Sequence, residues 1–150
     1  MKESPEARNL EQILRSSKMA AGGFMGHDSR SVAEIIDTDS FEIAKLGYTT
    51  RQLSAKMQEI TDAAKRGLGT WVKVDAQHRA MVEEARGSIA CPWPHPGRFA
   101  KRVTTVKHLG SGQTIRWTDL NIHLIAEHGF FEGKDSVFRI EPGKLSTVIF

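Results

Sequence analysis

The chain has 150 residues, 39% of them hydrophobic and 26% charged, with a formal net charge of +3. That length and balance suit one globular domain that buries its own core, and they exclude a disordered chain. No run approaches the roughly 20 apolar residues of a membrane helix, and a lone cysteine, Cys91, rules out an internal disulfide. The first residues, Met1 to Met19, mix charged and apolar side chains and lack the apolar stretch of a secretory signal. A reducing, cytoplasmic setting is the expectation.

Ser4-Pro5 reads as a helix cap with proline at the first helical position, and predicts a helix over 5–19. A glycine-rich loop follows to Ser29. Ser31 with Glu34 forms a capping-box pattern, and Val32, Ile35, Ile36, Ile43 and Leu46 give a second helix that Gly47 ends. Thr49 with Gln52 opens a third, marked by Leu53, Met57, Ile60, Ala64 and Leu68. The short turn between them predicts a helical hairpin. Trp71 to Val74 alternates as a strand does. The stretch 76–86 is compatible with either state, and helix is favoured on propensity.

From Cys91 to Gly97 alternate prolines forbid a helix. Val103–Leu109 and Thr114–Trp117, joined by Gly110-Ser111-Gly112, predict a hairpin. Thr118 or Asp119 caps a helix, Leu120 to His128, closed by Gly129. Phe138–Ile140 and Leu145–Phe150 suggest a final hairpin. An apolar strand at the end of the chain would pair at a sheet edge, within the domain or with a second copy, so a homodimer through this strand is expected. The reading is one α+β domain over 1–150. A helical hairpin layer in residues 1–69 packs on a small antiparallel sheet. The strand-rich part, 70–150, carries a ββα unit with one helix at about 119–128.

Candidate chemistry concentrates on Cys91, His95, His123 and His128. The helical pair is H-x4-H and the upstream pair C-x3-H, residue types that bind zinc. At about 100° per residue the two helical imidazoles lie roughly 140° apart around the axis, so convergence requires the last turn before Gly129 to cooperate. His108 is a spare ligand from the strand. The expected role is a zinc clamp between the proline loop and the C-terminal helix, in a binding or structural protein. The plainer reading makes Cys91 a small buried apolar group and His128 a helix-end cation.

Two other classes compete. Cys91 with His95 could form a thiol nucleophile and its base, as in a small hydrolase. Arg98, Lys101, Arg102, Lys107 and Arg116 form a basic stretch without an acidic residue, flanked or entered by Trp93, Phe99 and Trp117, which suits nucleic acid. No metalloprotease, P-loop or nucleophile-elbow pattern is present. His27-Asp28-Ser29 are too close in sequence to converge as a triad, and the adjacent Glu83 and Glu84 diverge.

Overall fold

Helix starts are set by short polar side chains that satisfy the first-turn amides. The structure, a computed structural model, describes residues 4–16 and 23–150. Ser4 caps α1 (Pro5–Arg15), Ser31 and Glu34 close a capping box on α2 (Val32–Leu46), and Thr49 and Gln52 close one on α3 (Thr50–Lys65). Gly47 ends α2 at φ +84°, the left-handed conformation that glycine adopts without strain. The first helix stops short of its expected 5–19: Ser16 is already extended, and 17–19 lie outside the described residues. Leu68 leaves the periodic run of α3, standing at φ +49° and 92% exposed.

Four strands, β1 (Val72–Lys73), β2 (His78–Ala90), β3 (Arg98–His108) and β4 (Thr114–Thr118), form an antiparallel sheet in chain order. Side chains alternate faces along a strand. The lateral row Val72–Ala80–Val106–Ile115 turns inward, and the next row, Lys73–Arg79–Lys107–Thr114, is exposed. The inward face is covered by α3, by α4 (Asp119–His128) and by α5 (Pro142–Ile149). The architecture is α+β, as expected. The helices α2 and α3 are consecutive through a short turn, but their main neighbours differ: α3 lies on α4 and β2, and α2 lies on α5.

Two local expectations are overturned. Residues 78–86 are strand, not helix. His78, Ala80 and Val82 bury at alternate positions against β3, and this pairing overrides the helix propensity of an Ala-, Glu- and Arg-rich stretch. The register with β3 then shifts between Glu84 and Ser88, a bulge that re-aims the end of the hairpin.

The final hairpin is absent, and 142–149 is the helix α5. Pro142 supplies the helical φ at its first position. Leu145, Val148 and Ile149 fall at helical spacing and are fully buried, which outweighs the β-branched character of the run. No terminal strand therefore exists to carry the expected homodimer. His78 holds α5 to the sheet: its Nδ1 meets Asp75 Oδ1 at 2.8 Å and its Nε2 meets the Val148 carbonyl at 2.7 Å.

Two cores meet at α4. Ile122 and Ile125 join the core under the sheet with Met57, Trp117 and Phe131. Leu120 and Leu124 join a second core with Leu14, Phe24, Phe130 and Cys91. In the first, Trp117 donates from Nε1 to Thr61 Oγ1 at 2.9 Å, and Thr61 and Thr104 share a hydroxyl contact of 2.7 Å. No helix among the described residues is long and apolar enough to cross a membrane.

Candidate metal centre

Cys91 follows the last residue of β2, and its side chain is buried in the second core. The prolines hold the next residues off helix, and a turn closed by His95 N donating to the Trp93 carbonyl at 2.8 Å folds His95 back over the thiol. The His95 Nδ1 lies 2.9 Å from the Pro96 carbonyl. A carbonyl can only accept, so Nδ1 carries the proton and Nε2 presents its lone pair. The carbonyl thereby fixes the tautomer and the orientation of the ring, as such a hydrogen bond does for an imidazole that binds metal.

The helix α4 supplies the other two rings. Thr118 caps its start and Gly129, at φ +62°, closes its end, where Phe130 N donates to the Leu124 carbonyl at 3.1 Å. Despite their angular separation, His123 and His128 bring their ring centroids to 5.2 Å. Aromatic neighbours wall both rings. Trp93 stacks on His128 at 4.1 Å and 9°, and Phe99 lies 4.5 Å from His123.

The donor atoms of Cys91, His95, His123 and His128 all lie within 4.8 Å of one another. His95 Nε2 is 3.1 Å from His123 Nε2 and 3.2 Å from His128 Nε2, and Cys91 Sγ is 3.5 Å from His128 Nε2. A tetrahedral zinc with ordinary bond lengths sets its nitrogens about 3.3 Å apart and its sulfur about 3.6 Å from each nitrogen. These three separations match three of the six edges of that tetrahedron. His95 is exposed, His123 and His128 are half-buried, and only Cys91 is buried.

Electrostatics favour neutral nitrogen donors. Burial pushes the His128 pKa down to about 4, with His123 and His95 adding to the shift, and burial with His95 lowers His123. Burial raises the Cys91 thiol. Without a positive partner the thiol stays protonated, which disfavours the nucleophile reading. An apolar cavity of about 330 Å³ between Phe24, Ile89, Leu120 and Val137 is lined by none of the four residues.

The remaining sequence candidates are dispersed. His108, the spare ligand, contacts Ser111 Oγ at 3.1 Å and the ring of His78, remote from the cluster. Asp28 accepts from Arg30 Nη2 at 2.7 Å and from Lys134 N at 3.0 Å, so it pins a loop; Arg30 holds its carboxyl well below the usual range. Glu84 pairs with Arg102, and Glu83 does not share that pair.

The basic stretch is also divided. Arg98 bonds to Ser88 and Arg102 to Glu84 and Asp119, whereas Lys101, Lys107 and Arg116 are exposed without an ion pair among the described residues. Sequence reasoning assigned Trp93 and Phe99 to nucleic acid, and missed that they pack against the rings of His128 and His123. Their nearness in sequence to Cys91 and His95 was the available signal. No known protein family, curated protein or solved structure matches the chain.

Proposed function

We propose that the protein is a binding or structural module stabilised by one zinc ion held by Cys91, His95, His123 and His128. The observation that carries the reading is that all four donor atoms lie within 4.8 Å of one another, with three of their separations at the edge lengths of a tetrahedral S/N site. Four protein ligands complete that coordination and leave no position for water or substrate, so the metal acts structurally. It cross-links the β2–β3 turn to α4, two elements otherwise joined by apolar packing in the smaller core. Zinc suits a borderline-soft set of one thiolate and three imidazoles better than calcium or magnesium, which prefer oxygen.

Elemental analysis and native mass spectrometry of untagged protein test this. One zinc per chain is expected, lost in both Cys91→Ser and His123→Ala. Chelation should lower the melting temperature by about ten degrees, the shift for a site some thousandfold saturated in a domain of this size. A well-folded protein that takes up no zinc at stoichiometric addition, and whose melting chelator does not move, would sink the proposal.

A further inference from the structure

One face of the sheet is covered by helices, while the other is open and cationic. The exposed row Lys73–Arg79–Lys107 lies side by side across β1, β2 and β3, at the roughly 4.8 Å spacing of neighbouring strands. Like charges placed directly opposite across strands repel. None of the three forms an ion pair among the described residues, so no salt bridge there offsets that cost. Arg116 is on the same face one row further on, opposite Thr105. It shares a concavity of about 350 Å³ with Thr105, Thr114 and Lys144, beside the mutually paired Arg139 and Glu141. Glu83, opposite Val103, is the acidic residue that borders the track. Aromatic rings stand near both ends. Trp71, 47% exposed, precedes Lys73 by two residues, and Phe138 lies under the Arg116 guanidinium at 5.0 Å.

We propose that this open sheet face binds single-stranded nucleic acid, with phosphates following Lys73, Arg79, Lys107 and Arg116 and ending at Lys144. Cations in a line match a polyanion, and flanking aromatics give unstacked bases a surface to stack on. In a duplex the base faces are already stacked, so the aromatics favour a single strand. The track keeps Lys107 and Arg116 of the basic stretch and adds Lys73 and Arg79, which only the strand register brings beside them. It shares no residue with the zinc ligands, and either proposal can fail alone.

The test is fluorescence anisotropy with a labelled mixed-sequence single-stranded oligonucleotide. Binding should weaken roughly fiftyfold for a fourfold rise in salt, the slope for four to five phosphate contacts. Arg79→Glu and Lys107→Glu should each weaken it roughly tenfold or more, while Lys45→Glu on α2 leaves it unchanged. Thermal melting verifies folding, and Arg79→Gln and Lys107→Gln repeat the test should the reversals unfold. No binding at low salt, equal affinity for the matching duplex, equal loss in Lys45→Glu, or capture by phosphatidylserine vesicles without oligonucleotide binding would each overturn the proposal.

Discussion

Glu132 is a carboxyl group in a place that disfavours its charge. It is buried, stands at φ +69°, and accepts from Asn121 Nδ2 at 2.7 Å and from Ser136 Oγ at 3.1 Å. Burial pushes its pKa up to about 7, outweighing the two hydrogen bonds that favour the anion. The folded state therefore holds a proton that the unfolded chain has released, and Glu132 loses stability as pH rises from about 4.5 through about 7. The lowered pKa values of His123 and His128 act the other way, gaining stability as pH rises toward 6.5. The decisive quantity is thus the difference between wild type and Glu132→Gln. That difference should move by about 3 kcal/mol in favour of the variant between acidic and mildly alkaline pH. Chemical denaturation across the range checks it, and parallel curves would reject it.

The helix α4 is where local sequence and remote packing meet. Its capping box uses Asn121, whose Oδ1 accepts from Thr118 N at 2.9 Å while its Nδ2 donates to Glu132. The cap thus fixes the start of the helix to the loop beyond its end. Gly129 sets where the last turn stops, and hence where His128 points. An added Cβ there would meet nothing closer than Ile36 Cγ2 at 3.7 Å, so Gly129→Ala introduces backbone strain rather than a clash. The expected cost is about 1 kcal/mol, together with weaker zinc binding as His128 shifts. Thermal melting with and without chelator separates the two effects. An undiminished chelator response would show that the turn does not position the ligand.

Across the whole molecule, Arg139 joins parts that no local pattern connects. Its guanidinium donates to both Asp39 oxygens of α2, at 2.5 and 2.9 Å, to Glu141 at 3.1 Å and to the Glu132 carbonyl at 2.9 Å. The side chains of Arg139 and Asp39 are both nearly buried. Removing one partner strands the other charge, so Arg139→Ala should cost about 3 kcal/mol or more. Arg139→Lys should recover only part of it, because an ammonium cannot span both oxygens and the carbonyl. A melting curve within a degree of wild type for Arg139→Ala would show that water replaces the guanidinium without loss.

Sequence by itself determined the helix starts of α1 to α4, the hairpin of β3 and β4, and the four side chains of the candidate metal centre. Caps, glycine stops and proline restraints act within a few residues, so they are legible in one dimension. The assignment of 78–86 and 142–149 was decided by tertiary burial. A stretch such as Val148-Ile149-Phe150 suits a strand or a buried helix equally until the surface it packs on is known. Convergence of Cys91, His95, His123 and His128 was likewise a tertiary outcome, since a pair on a helix and a pair on a proline loop meet only once α4 lies beside the end of β2. The cationic row came from strand register, which places Lys73, Arg79 and Lys107 side by side although they lie far apart in the chain.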